Sequence, residues 1–391
     1  MKGKNLVILV IMAAALAVIA VSTSKKNMKS SPAIMGKTIF PDLSIDAIEK
    51  IVVRSGKDTA TVSRSDGGWI VPDRFNYTAD FNKVKDCLIK LSDLKIGQVV
   101  ELDGKQKAAM KMLSPAGAAP EAIDKTGTLV ELRGKGDSVL AALLIGEART
   151  KKPGGDMPEG FGGYPDGQYV SPDGGKDVYL VNTPLDDMPA SALKWMDTEI
   201  LNVMPSDILE ISITGPGRKD VLLKRTKDNT GLEVDGIATN EVSLDGKMYS
   251  MESALTHLTL EDIADPAVTA EQAGLDKPVL FKAVTRNGEI YSVKTGKQKE
   301  GTDYRFCKAE VTLKEIEKQP EPKDEKEKAK AEQAAKARKD QEEKVRMMND
   351  KLSKWTYLIA SSKAENMLFT RDTLFEKKKE ENKTGSETKP E

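Results

Sequence analysis

The chain repeats itself at a fixed spacing. Ala192-Leu193-Lys194-Trp195 recurs as Leu352-Ser353-Lys354-Trp355, with the two tryptophans 160 residues apart (355 − 195). The same interval links Ile48, Ile51 and Val53 to Ile208, Ile211 and Ile213. Self-similarity at one period divides a chain before any other argument does, because it marks units of similar structure. A chain of 391 residues has room for two such units, each with its own core.

With 39% hydrophobic and 31% charged residues, most of the chain should fold. Sixty basic side chains balance 61 acidic ones, so no broad field draws nucleic acid or acidic lipid. Aromatics at 5% are thin for base stacking or an aromatic-lined sugar site. There is one histidine, His257, no CxxC and no metal-ligand spacing, so neither a metal nor a cofactor is expected. Cys87 and Cys307 fall at non-equivalent places in the two units and read as separate thiols.

Residues 6–21 form an unbroken apolar run of 16 behind a short basic start. With the hydroxyl residues that follow, the run approaches the roughly 20 residues of a membrane-spanning helix. It is also within the size of a secretory signal, and Ala20-Val21-Ser22 offers a cleavage site. An uncleaved anchor is favoured over a cleaved signal, and no cysteine follows that would carry a lipid. Either way the body is expected outside the cytoplasm, and the favoured uncleaved anchor would hold it at the inner membrane. Segment 1–24 is then the membrane anchor or signal and 25–37 a stalk.

The body predicts an α+β fold of two tandem related units, at 38–204 and 205–375. Each would be a mainly antiparallel sheet with one or two packed helices. Near Thr38 the chain enters a short turn at Ile45, then strand Ile51-Val52-Val53, then an alternating run from Thr59 to Ser63. Asp66-Gly67-Gly68 before Trp69-Ile70-Val71 is a hairpin signal. Val84, Leu88 and Leu91 follow at helical spacing, matched 167 residues later by Met251, Leu255 and Leu258 (251 − 84). Further strands are expected around Leu129, Val139, Val178, Val279, Glu289 and Tyr304. Gly146 and Gly296 should close matching strands, and the tryptophan segments should close each unit. Hairpin-type turns favour this class over a parallel α/β sheet.

The units differ by insertion. The first carries a Gly- and Pro-rich segment at 151–177, read as a flexible excursion. The second carries 315–350, almost entirely Glu, Lys, Ala, Gln and Arg, read as an exposed helical arm or an unstructured stretch. A charged tail occupies 376–391. In the Gly-rich segment, Tyr164 and Tyr169 could stack on a ligand while Arg149, Lys151 and Lys152 pair with an anion; these are the candidate binding residues. No phosphate-loop or nucleophile-elbow pattern occurs, and no catalytic residue is assigned. His257, read on the second unit's helix, lacks an assignable acid or nucleophile and is taken as structural.

Phe40-Pro41-Asp42-Leu43, Ile48-x-x-Ile51-x-Val53, Gly68-Trp69-x-Val71, Ala79-Asp80, Leu94-x-Ile96-Gly97 and Trp355-Thr356-Tyr357-Leu358-Ile359 together resemble a bacterial domain-of-unknown-function family. Its members carry one N-terminal membrane segment, and their genes often neighbour a gliding-motility-type ABC transport system. The resemblance runs from about Thr38 to Phe375. It implies an extracytoplasmic accessory whose partners are integral-membrane transporter subunits, with no nucleic acid and no inherited catalytic residue. The expectation is a non-enzymatic, membrane-tethered scaffold or binding subunit. The alternatives are a cell-envelope hydrolase and a small-ligand receptor using a groove between the units.

Overall fold

The computed structural model describes residues 34–151, 164–226, 231–315 and 325–377. The expected anchor at 1–24 lies outside them, as does the expected tail at 376–391 except for Glu376 and Lys377, which instead belong to a strand paired with Val242 and Glu241. Among the described residues no helix is long and apolar enough to cross a membrane. The body is α+β with mainly antiparallel sheets. It divides after Asp197 into two compact units. That is seven residues before the expected boundary (204 − 197), because residues 199–201 already pair within the second unit.

In the first unit a 3-10 turn, Ile45–Ala47, feeds β1 (Lys50–Ser55), where Ile51, Val52 and Val53 are all buried. β2 (Asp58–Ser65) returns through a tight turn and β3 (Gly68–Val71) follows the Asp66-Gly67 turn, with Ser65 opposite Gly68. β4 (Tyr77–Thr78), β5 (Gln98–Val100), β6 (Thr128–Arg133), β7 (Val139–Lys151), β8 (Tyr164–Ser171) and β9 (Val178–Val181) complete one nine-stranded sheet. Its order is β4-β3-β2-β1-β6-β7-β8-β9-β5. Helix α1 (Phe81–Ser92) lies against it through Val84, Cys87, Leu88 and Leu91, all buried, at the i, i+3, i+4, i+7 spacing of an amphipathic helix. Asp80 caps its start, accepting from the backbone N–H of Asn82 at 2.9 Å and Lys83 at 3.1 Å. A short helix, α2 (Gly104–Ala109), carries a reciprocal cap between Asp103 and Gln106.

The second unit contains β10 (Glu199–Leu201), β11 (Ile208–Thr214), β12 (Val221–Arg225), β13 (Leu232–Val234), β14 (Glu241–Ser243), β15 (Leu258–Thr259), β16 (Asp262–Ile263), β17 (Val279–Thr285), β18 (Glu289–Gln298), β19 (Tyr304–Leu313), β20 (Tyr357–Ala360) and β21 (Phe375–Lys377). Helices α3 (Asp245–Glu252), α4 (Ala270–Ala273), α5 (Glu325–Leu352) and α6 (Ser361–Glu365) join them. Its main sheet has the order β13-β12-β11-β17-β18-β19-β20-β16. With β4 set aside, this connectivity is the first sheet's, strand for strand. Ile51 stands opposite Val62 and Leu132, and Ile211 opposite Leu223 and Ala283. The interval between them is the 160 of the sequence (211 − 51).

Farther along, register moves the interval. Val99 faces Tyr179 in one sheet and Ile263 faces Tyr357 in the other, 164 apart (263 − 99). At that interval Val84, Cys87 and Leu91 match Met248, Met251 and Leu255, all buried. The expected 167-residue match of helices is therefore off by three. The second helix stops at Glu252, and the Ser253 N–H bonds back to Tyr249 O. The chain then turns at His257, whose φ of 47° is left-handed, and Leu258 enters β15 opposite Leu201. His257 thus sits in a turn, not on a helix.

The tryptophan segments are also not equivalent. Trp195 follows β9 and is fully buried, its Nε1 donating to Pro189 O at 2.8 Å. Trp355 is half-buried and precedes β20, the counterpart of β9. Trp195 ends the 3-10 turn Ala192–Trp195, whereas Trp355 lies three residues past the end of α5, so the shared residues hold no shared place.

Gly146 and Gly296, 150 apart (296 − 146), lie inside long strands instead of closing them. Each marks a bulge: register slips between Ile145 and Ala148, and between Thr295 and Gln298. A Cβ on Gly146 would meet Met110 O, and one on Gly296 would meet Ala273 O, because the end of a short capped helix packs on each bulge.

Both insertions are partly absorbed into the sheets. Tyr164–Ser171 of the Gly-rich segment is β8, paired to β7 and β9, and 172–177 turn into β9; residues 152–163 lie outside the described residues. Pro165 and Gly167 hide this strand from a propensity reading. Gly167 has φ 138°, with the Leu180 side chain 2.9 Å from where its Cβ would stand. In the charged segment, α5 docks its C-terminal half on β19. β20 pairs only with Tyr304–Cys307 of β19, leaving the strand edge beyond it uncovered by β20. Asn349 fills that gap as a strand would. Its Oδ1 accepts from Val311 N at 2.8 Å and its Nδ2 donates to Val311 O. Val345 and Leu352 are buried beneath the helix, whereas 331–337 is exposed throughout.

Candidate functional site

Of the residues expected to bind a ligand, Arg149 stands in β7 opposite Gly167. Its Nη2 donates to Asp166 Oδ2 at 2.9 Å and to Asp166 O at 3.1 Å. The pair is 38% and 45% exposed, so it contributes little stability and serves mainly to tie the two strands. Tyr169 packs half-buried against Met112, Leu129, Leu144 and Val178. The side chain of Tyr164, like that of Lys151, lies outside the described residues. Neither Arg149 nor Tyr169 lines any of the three concave sites described next.

The first of the three concave sites, about 750 Å³, lies between α5 and the β17–β18 turn. Its charges largely answer one another. The buried Glu289 carboxylate accepts from the Tyr291 hydroxyl at 2.9 Å and faces Lys344 Nζ at 3.8 Å. Burial, with Glu289 next, pushes the Tyr291 phenol well above its usual range. Arg338 is held by Glu342 and Lys314 O. A second, polar concavity of about 490 Å³ lies beside the Gly146 bulge, where Lys111 pairs with Glu147 at 2.6 Å.

The third site, about 180 Å³, is different in kind. Six of its eight lining residues are apolar: Ile45, Trp69, Phe81, Val84, Leu88 and Ile89. The other two are Arg64 and Lys85, and no acidic side chain lines it. The elements fix this arrangement. The β2–β3 hairpin places Arg64 opposite Trp69, with the guanidinium 5.9 Å from the ring centroid. Arg64 Nη1 also donates to Asp46 O at 3.1 Å, tying the hairpin to the 3-10 turn that supplies Ile45. Helix α1 turns Val84 and Leu88 inward to form the floor. Its next flank presents Phe81, Lys85 and Ile89 at intervals of four, the spacing of one helical face.

That flank is an anomaly for a soluble surface. Phe81 is 62% exposed, Ile89 43% and Ile45 38%, around a Trp69 that is only 8% exposed. Single exposed apolar residues are ordinary, but a contiguous set bordering a cavity marks a contact site. Sequence reasoning passed over it. The signal was available: Phe81 and Ile89 are large apolar residues off the Val84, Leu88, Leu91 face.

On the side of α1 toward Trp195, Lys83 donates to Lys194 O at 2.7 Å, and its Nζ lies 5.4 Å from the Trp195 ring centroid. Burial lowers the Lys83 ammonium's pKa, against the opposing pull of Asp80. His257, exposed in its turn, has Nδ1 3.2 Å from Glu199 Oε2. Among the described residues no three His, Cys, Asp or Glu side chains converge to hold a metal.

Comparison with known proteins adds one relation. A family model described as a domain of unknown function, DUF4340, matches residues 161–278. The matched span runs from β8 of the first unit through α4 of the second, under a third of the chain. The motifs quoted above, at 40–97 and 355–359, lie outside it. No curated protein and no solved structure matches the chain. The chain thus contains a segment similar to a domain of unknown function.

Proposed function

We propose that this protein is a non-enzymatic scaffold or binding subunit, tethered to the cytoplasmic membrane with its body outside, and accessory to an ABC-type transport complex. The observation that carries the reading is the apolar slot on α1. An exposed Phe81 and Ile89 over a cavity floored by Val84 and Leu88 is a surface for a protein contact, not for chemistry. The apolar run at 6–21 supports the tether, which raises the effective concentration of the slot near any membrane partner.

The test is extraction of the full chain from membranes in mild detergent, followed by affinity capture and identification of what comes with it. Transporter subunits should co-purify, and added protease should digest the body in spheroplasts. Recovery of the protein alone, or a protected body, would overturn the reading. A small-ligand receptor is the second reading, favoured by the polar concavity beside Gly146. It requires a thermal shift on adding small solutes, abolished by Lys111→Ala.

A further inference from the structure

We infer that the slot on α1 receives an acidic amphipathic peptide segment of a protein partner, anchored by one aromatic side chain. This rests on the binding-subunit reading and specifies its chemistry. The volume comes first. A cavity of about 150 Å³ lined by apolar side chains holds a benzene ring, and this slot measures about 180 Å³. One ring fills it. The floor of Val84 and Leu88 and the wall of Trp69 offer that ring an apolar, partly aromatic seat.

The charge comes second. Arg64 and Lys85 are the slot's only charged lining residues and both are exposed cations. Arg64 is held in place by Asp46 O and the Trp69 face, so its guanidinium is positioned in advance. An entering chain with carboxylates flanking the anchor would meet positive charge on two sides, which favours acidic partners and repels basic ones. The spacing of Phe81, Lys85 and Ile89 extends the contact along α1, the geometry of one helix laid beside another.

Two other occupants make different demands. A lipid surface calls for a broad protruding apolar face, whereas here the exposed Phe81 and Ile89 border a concavity floored by Val84 and Leu88 and flanked by Arg64 and Lys85. A second copy of the chain would have to bring its own acidic apolar segment to the slot.

The experiment uses the full chain in detergent micelles, immobilised through its C-terminus and panned with a phage-displayed library of random dodecapeptides. Enriched sequences should carry an aromatic residue flanked by Asp or Glu. Phe81→Glu and Ile89→Glu, both exposed and so compatible with folding, should each weaken the selected peptide about tenfold or more. Lys85→Glu should weaken it as well and should improve binding of the same peptide with Lys replacing its acids. A basic or purely polar consensus, or enrichment indifferent to Phe81→Glu, would overturn the proposal. So would vesicles containing anionic lipid that bind the chain through Phe81, or a dimer in sedimentation that Phe81→Glu dissociates. If a transporter subunit co-purifies equally with wild type and with Phe81→Glu, the slot assignment fails while the scaffold reading stands.

Discussion

At Gly146 and Gly296 the decisive fact is what the missing side chain avoids. Each bulge accepts the backbone of a capped helix against it, and a methyl group there would collide with a carbonyl oxygen. Gly146→Ala and Gly296→Ala should each lower the urea midpoint, at a cost of about 1–3 kcal/mol typical of overpacking. An unchanged midpoint would show that the bulges relax freely. The cysteines give a second prediction. Burial pushes both the Cys87 and Cys307 thiols up to about 12, and both are free. At pH 8 the native protein should not react with Ellman's reagent, and both thiols should react once it is unfolded. Asp173 supplies a third. Burial works to raise its pKa, but it accepts from Ser171 Oγ at 2.7 Å and from the N–H groups of Lys176 and Asp177, which together hold the pKa below the usual carboxylate value. The stabilisation is therefore complete above the unfolded carboxylate's pKa, about 3.9, and is lost as pH falls through the lower folded value. Acid should loosen the β8–β9 turn, and Asp173→Asn should flatten that dependence in amide exchange measured across the turn.

At the level of elements, α5 shows how composition misleads. Its 28 residues reach roughly 42 Å at 1.5 Å per residue, and its sequence carries no sustained apolar stripe. It nevertheless docks, because β20 covers only part of β19 and an open strand edge needs partners. Asn349 provides them with one amide. Asn349→Ala leaves the Val311 N–H and C=O without that partner and should cost about 1–3 kcal/mol, with faster exchange of the Val311 amide as the readout. Asn349→Asp, which keeps the acceptor alone, should fall between.

For the whole molecule, the two main sheets share one connectivity, so the most protected strands should correspond. Hydrogen exchange is expected to be slowest in β1, β6 and β7 and in their counterparts β11, β17 and β18, each hydrogen-bonded on both edges. The two-stranded pairs β10–β15 and β14–β21 should exchange fastest among the described strands. Protection confined to one unit would contradict the matched architecture.

Much of this fold was legible in the chain. Alternation and turn residues determine β2, β3 and β11 to β13, because a half-buried strand imposes its period of two directly on the sequence, while β1 shows as a short apolar run buried at Ile51, Val52 and Val53. The interval between Ile51 and Ile211, and that between Gly146 and Gly296, likewise survive into register. Tertiary structure decided the rest. β8 forms despite Pro165 and Gly167 because β7 and β9 leave a place between them. α3 ends at Glu252 because Leu258 is taken up by β10. The α1 slot exists because a hairpin, a 3-10 turn and a helix flank meet over Trp69, and residues so far apart in sequence share no period that could announce them.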